Sequence, residues 1–256
     1  MPELPDLQVF SRNLQHLLGN KRLKTVKLFK KKNSNQAELK IKKALEGQKL
    51  KKVSRSGKEI HFLFENDQIL ALHLMLKGKL NLEPAGSLPR SGIVQLKFEE
   101  EITLTLSDQM GKASLRLNPE ASVAPDVLSP EVNAGFLGKL FKKSKGTIKK
   151  LLTDQKKLRG IGNAYADEIL WHARISPLSK ASSIPNEKIK LLLKSIRSVL
   201  KNAEKQIVKN DPERISGEYR DFLKVHNAAR THSPEGAEII VTEMDGRKTY
   251  YTSEQE

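Results

Sequence analysis

The chain has 256 residues, room for one large domain or two smaller ones. Hydrophobic residues at 38% suffice for a core, and 46 Lys and Arg against 30 Asp and Glu leave a formal charge of +16, which makes a polyanion the expected partner. Cysteine is absent, which excludes disulfides, thiol nucleophiles and thiolate metal sites together, while no apolar run reaches the roughly 18 residues of a membrane span and no signal-peptide layout opens the chain. The expectation is a cytoplasmic protein without membrane contact.

Residues 5–18 read as a helix. Pro5 suits its first turn, Leu7, Phe10, Leu14, Leu17 and Leu18 form one apolar stripe, and Gly19 can end it. From about 23 to 117 the period becomes two. Ile60, Phe62 and Phe64 alternate with polar residues, Asn66-Asp67 offers a turn, and Ile69 to Leu72 returns. A second hairpin runs from Ile93 to Phe98, turns at the glutamates 99–101 and returns through Ile102, Leu104 and Leu106. Short strands at this spacing suggest a β-sandwich or barrel, with a short helix at Lys40–Leu45.

Residues 118–133 carry Pro119, Pro125 and Pro130 without periodicity and read as a linker. Beyond it the period is helical over Phe136–Phe141, Thr147–Leu152, Ala164–Ala173 and a long segment from Pro185 to about Val208. The tail returns to strands: Glu238–Glu243, an Asp245-Gly246 turn, then Thr249–Thr252. The fold class is α+β. Its expected domains are residues 1–117, a linker 118–133, a helical DNA-binding domain 134–235 and a hairpin 236–256.

Positive charge is segregated. Between Lys21 and Lys58 stand fifteen Lys or Arg against Glu38 and Glu46, and between Lys139 and Gly160 nine against Asp154 alone. A solubilising surface needs no such clustering, so nucleic-acid contact gains. Lys30-Lys31-Lys32, ahead of Asn-Ser-Asn-Gln, still reads as a solvated loop.

Three segments can carry chemistry. In Leu158-Arg159-Gly160-Ile161-Gly162-Asn163 two glycines allow close backbone approach, and the following helix start favours an anion. A tight packing turn explains the motif about as well; the flanking Lys149, Lys150, Lys156 and Arg159 tip it toward phosphate. At Met1-Pro2-Glu3, removal of the initiator would leave a secondary amine that titrates near neutrality and can attack an aldehydic carbon, with Glu3 to move protons. On its own, Pro-Glu is usually only a start. Arg247, on the last hairpin turn, can clamp a phosphate, though such residues are usually solvated. The histidines show no ligand spacing, so no metal or other cofactor is expected.

These pieces together resemble the formamidopyrimidine-DNA glycosylase and endonuclease VIII family. The likeness rests on Pro2-Glu3-Leu4-Pro5 followed by an acid, on Arg55-Ser56-Gly57-Lys58, on His73 to Leu80, on Ala124 to Ser129, and above all on Asp154-Gln155 through Gly160 to Leu170, similar to that family's helix-two-turn-helix. Leu4 favours the formamidopyrimidine branch. The resemblance implies an N-terminal helix with a β-sandwich and a C-terminal helical domain ending in a hairpin finger. It implies Pro2 as nucleophile at C1′, Glu3 as proton carrier, Lys58 on a phosphate, and Asn163 with Arg247 as a phosphate clamp. It places Gly162, Arg159, Lys157, His73, Leu76 and Lys77 on DNA and Asp6 at the lesion. The implied reaction removes an oxidised base, 8-oxoguanine or a formamidopyrimidine, from an extrahelical nucleotide of duplex DNA and cleaves the strand by β- and δ-elimination. A monomer is expected.

Three departures stand out. The family's usual four-cysteine zinc finger has no cysteine here, which implies a zincless hairpin held by strand pairing. Asp108-Gln109-Met110-Gly111-Lys112 lacks the family's void-filling Arg and Phe, and Leu76 stands where a methionine is usual, leaving Met110 as the candidate filler. Asp6 is one methylene shorter than the usual Glu. The alternative is a DNA-damage-binding protein of the same fold with weak or no excision.

Overall fold

The first helix forms where apolar spacing and local capping agree. α1 spans Leu4–Leu18, with Pro5 in its first turn. Glu3 and Asp6 close it reciprocally: the Glu3 carboxylate accepts from the Asp6 amide, and Asp6 Oδ2 accepts from the Glu3 amide at 2.8 Å. Leu4, Leu7, Phe10, Leu14 and Leu18 are buried, whereas Leu17 stays half-exposed. Gly19 ends the helix with an ordinary negative φ; it is needed for room, since a Cβ there would lie 2.6 Å from the Gln15 carbonyl.

The computed structural model describes residues 1–83 and 90–256. After α1 come β1 (Leu23–Leu28), α2 (Glu38–Leu45), β2 (Leu50–Ser56), β3 (Glu59–Phe64), β4 (Ile69–His73), β5 (Lys79–Glu83), β6 (Gly92–Phe98), β7 (Thr103–Ser107) and β8 (Ser114–Leu117). The strands form two four-stranded antiparallel sheets, ordered β1-β6-β7-β5 and β2-β3-β4-β8. Period two decides which side chains face inward: Ile60, Phe62 and Phe64 are fully buried, as are Leu70 and Leu72 opposite them. Each such side chain contributes about 1.5–3 kcal/mol by leaving water. α1 packs on β2 and β3. Ile102, expected in the returning strand, lies before β7, because Glu100 and Glu101 take positive φ and use up the turn.

The remaining elements are α3 (Ala134–Lys142), α4 (Ile148–Thr153), α5 (Asn163–His172), α6 (Asn186–Asn210), β9 (Ile239–Met244) and β10 (Arg247–Thr252). Asn133 and Thr147 cap α3 and α4 through their side chains. β9 and β10 pair antiparallel around Asp245-Gly246, whose φ values of 50° and 72° are those of a type I′ turn.

The chain divides into two units, residues 1–121 with 207–218 and residues 122–206 with 219–256. The sequence reading keeps 134–235 together. The structure groups residues 207–218 with the first unit, where Asn13 Nδ2 donates to the Pro212 and Arg214 carbonyls and Ser216 Oγ accepts from the Leu80 amide. Among the described residues no helix is long and apolar enough to cross a membrane.

Candidate active site

In the first unit, Arg55 links α1 to the turn that carries Lys58. Pro2 and Glu3 are buried, and the Met1 ammonium pairs with Glu218. Gln8, one turn into α1, accepts from Arg55 Nε at 3.0 Å, and Arg55 Nη1 donates to the Gly57 carbonyl at 3.0 Å. These bonds brace the Gly57-Lys58 turn, where Gly57 takes φ 59° between β2 and β3. Asp6 does not face solvent at all; its carboxylate is spent on capping α1. The structure thus shows Asp6 capping α1, and the lesion contact stays an expectation from the resemblance.

His73 ends β4, and its Nδ1 accepts from the Met75 amide at 3.0 Å, which leaves the proton on Nε2. Burial pulls its pKa below the usual value; Glu59 opposes, and the charges of Lys58 and Arg116 add to the lowering. A neutral His73 near a cationic Lys58 follows. The bond also shapes the loop after β4, where Met75 takes φ 54°. Leu76 projects from it at 57% exposure, and Lys77 is exposed too.

A second loop, residues 108–113, is built by a carboxylate that sequence reasoning passed over. Asp108, 1% exposed, accepts from the amides of Met110, Lys112 and Ala113 at 2.9, 2.6 and 2.7 Å. Asn33 fastens the same loop by donating to the Gly111 and Ala113 carbonyls at 2.9 and 2.6 Å. Met110 stands out at its tip, 51% exposed. The available signal was an aspartate followed by a glycine three residues on, the mark of a side-chain-braced turn.

In the second unit, Gly162 caps α5 with an extended backbone and Asn163 opens the helix. Gly160, at φ 111°, makes the turn before it. Gln155 staples that turn, donating to Thr153 and Ile161 carbonyls at 2.9 and 2.8 Å and accepting from the Gly160 amide at 3.0 Å. Asn163 Nδ2 donates to the Lys248 carbonyl at 2.9 Å. A cavity of about 250 Å³ lies here, lined among others by Lys150, Asp154, Asn163, Asp245 and Arg247. The start of α5 beside the exposed Arg247 suits an anion. Lys156 and Lys157 are exposed, Lys157 at 3.7 Å from Asp154.

Two basic residues near this turn have protein partners of their own. Arg159 donates from Nε to the Ala124 carbonyl at 2.8 Å and exchanges backbone bonds with Pro125 and Val127. Lys149 is buried, 2.7 Å from both Asp167 Oδ1 and Thr249 Oγ1. Burial and local backbone partners, invisible to a charge count, decide both.

No set of three or more His, Asp or Glu side chains suited to a metal occurs among the described residues. At the base of the β9–β10 hairpin stand Ser233, Thr252, Glu254 and Gln255, bonded to one another and to their neighbours. That donor set, hydroxyls around one carboxylate, does not fit zinc.

Comparison with known proteins agrees with this geometry. Residues 1–114 match the formamidopyrimidine-DNA glycosylase N-terminal domain and residues 123–211 match the H2TH domain of that family. Curated relatives named formamidopyrimidine-DNA glycosylase include those of Ureaplasma parvum, 31% identical with 98% of each chain covered, and Lactiplantibacillus plantarum, 30% identical over 77% of this chain and 75% of that one. The structure superposes over the full length of both chains on Lactococcus lactis Fpg in complex with abasic-site DNA, with a TM-score of 0.88 at 24% identity. A complex of a variant of that protein with Fapy-dG containing DNA matches equally, at 25% identity. From its first helix through the H2TH segment, this chain belongs to the formamidopyrimidine-DNA glycosylase family of base-excision-repair DNA glycosylases.

Proposed function

We propose that the chain is a bifunctional DNA glycosylase and abasic-site lyase that excises oxidised purines from duplex DNA through a Schiff base on Pro2. The observation that carries the reading is the start of α1, where Pro2 stands next to a carboxylate, Glu3, that the helix cap holds in place. Removal of Met1 turns the Pro2 nitrogen from an amide into a secondary amine. That amine attacks C1′ as the base departs with its electron pair, and Glu3 supplies and accepts protons at the sugar. Protonation of O4′ then breaks the C1′–O4′ bond and leaves the C1′ iminium, which acidifies C2′; loss of that proton expels the 3′ phosphate by β-elimination, and a further elimination expels the 5′ phosphate.

Lys58 and His73 fit the phosphates flanking an extruded nucleotide, and Asn163, Gly162 and Arg247 a phosphate further along. Leu76 and Met110 are exposed apolar side chains on braced loops, suited to fill the space that the extruded base leaves. The 108–112 segment lacks the family's Arg and Phe, so discrimination of the opposite base is expected to be weak. The chain is expected to act as a monomer. One observation favours a second reading: the 108–112 segment lacks the family's void-filling Arg and Phe, as a damage-binding protein of the same fold with weak or no excision would. Borohydride trapping on 8-oxoguanine and abasic duplexes, with the N-terminus verified by mass and the adduct located by peptide mapping, separates the two; an adduct mapped to a residue other than Pro2 would sink the assignment.

A further inference from the structure

The hairpin that carries Arg247 is only two strands, and an isolated two-stranded hairpin is marginal in water. Something must hold it against the helical body. Two carboxylates reach it from either side of its length.

Asp167, on α5 and fully buried, meets the hairpin near its tip. Its Oδ2 accepts from the Tyr250 amide at 3.0 Å and from His226 Nδ1 at 2.7 Å. Its Oδ1 lies 2.7 Å from Lys149, whose ammonium continues to Thr249 Oγ1 at 2.7 Å and to the Lys248 carbonyl at 3.4 Å. The His226 ring meets Tyr250 at a tilt of 59°, with centroids 4.6 Å apart. These contacts fix the residues immediately after Arg247. Glu254 does the equivalent at the hairpin base. Its Oε2 accepts from Thr252 Oγ1 at 3.0 Å, Ser233 Oγ at 3.2 Å and Trp171 Nε1 at 3.2 Å, and its Oε1 faces Arg174 at 3.2 Å. Gln255 closes the corner, accepting from the Thr252 amide at 2.9 Å and donating to the Ile175 carbonyl at 2.8 Å. Between the two nodes lies a small apolar core of Trp171, Val225, Ile239 and Tyr250.

We propose that Asp167 and Glu254 are positioning residues that fasten the β9–β10 hairpin to α5 without a metal, and so hold Arg247 and Lys248 at the Asn163 cavity. Burial would push the Glu254 carboxyl up, but donors from Trp171, Thr252, Arg174 and Ser233 outweigh it and hold it at about 2. The carboxylate is thus the form the node needs. The consequence for DNA rests on the reading of Arg247 as a phosphate clamp; the fastening itself does not.

The test is amide hydrogen exchange on the full chain, wild type beside Glu254→Gln, Asp167→Asn and the double variant Ser233→Ala/Thr252→Val, which removes donors without changing charge. Exchange over residues 239–252 should quicken about tenfold or more in each variant while β6 and β7 keep their protection. Affinity for a duplex with a tetrahydrofuran abasic analogue should fall by about tenfold, with the single-turnover rate at saturating DNA little changed. EDTA should leave wild-type exchange unaltered. Wild-type exchange in all variants would overturn the proposal, as would stoichiometric zinc whose removal by EDTA quickens exchange over 239–252. Arg247→Ala separates the two claims: weakened binding with native exchange supports the clamp, whereas native binding ends the clamp reading and leaves the fastening to be judged on exchange alone.

Discussion

Asp108→Ala probes how the exposed Met110 is presented. The carboxylate accepts three amides at 2.9, 2.6 and 2.7 Å from a position 1% exposed. Bonds to a charged group contribute about 1.5–3 kcal/mol each, but the loss is not the full sum. Met110 and Lys112 are exposed residues whose amides can turn to water, whereas Ala113 is fully buried and keeps an unsatisfied donor that costs about 1–3 kcal/mol. The expected destabilisation is about 2–4 kcal/mol, read as a lowered urea midpoint with an unchanged slope. Asn, with a single acceptor oxygen, should fall between Ala and wild type. Burial alone would raise the Asp108 pKa, yet the three amides and the nearby Lys30 charge outweigh it and set it below the usual aspartate value. Stability from this group is therefore complete above the ordinary value near 4 and is lost as pH falls through the lower folded value, so the variant should show a flatter acid limb. A loss under about 0.5 kcal/mol, the range of an ordinary surface change, would refute the reasoning.

Further expectations follow from single contacts. Gln155→Ala removes three bonds from the turn before α5 and should cost about 2 kcal/mol, with weaker binding of any duplex; unchanged stability would show that the turn holds without its staple. Arg247→Ala should weaken binding similarly across sequences and reduce the salt slope by about 1, and an unaltered slope would remove Arg247 from the phosphate contacts. Acid should loosen the hairpin through Glu254, whose carboxyl sits at about 2: its contribution is present above the ordinary glutamate value and is lost as pH falls from there toward 2. Protection over residues 239–252, corrected for the intrinsic pH dependence of exchange, should fall across that window in wild type and change less in Glu254→Gln, where it is already lowered. Excision opposite C and opposite A should differ little, because Gln109 and Met110 offer no cation to read the partner base; sharp selectivity would assign that reading to another residue.

The sheets were legible because alternation is a direct record of burial, as Ile60, Phe62 and Phe64 show, and because Asp245-Gly246 is the chemistry a type I′ turn demands. The turn before α5, beside the Asn163 cavity, was legible through Gly160 and Gly162. What stayed hidden depends on partners distant in the chain. Lys149 counted as surface charge, yet it is buried against Asp167, and no period in α4 distinguishes it from the exposed Lys150 next to it. The bond from the Arg159 guanidinium to the Ala124 carbonyl left no mark in the sequence. Asp6 matched the lesion-facing position by resemblance, while its spacing from Glu3 already spelled a capping box. Residues 207–218 carry no local sign of their bonds to Asn13 and Leu80.

The central claim is a covalent intermediate on Pro2. Borohydride trapping of the purified chain on 8-oxoguanine, formamidopyrimidine and abasic duplexes tests it most directly, with wild type beside Pro2→Gly and Glu3→Gln and the N-terminal residue verified by mass spectrometry. The account predicts a chain beginning at Pro2 and a trapped adduct with damaged-base duplexes that is lost in Glu3→Gln. Tight, salt-sensitive binding with no adduct on any substrate would contradict it and leave a damage-binding protein.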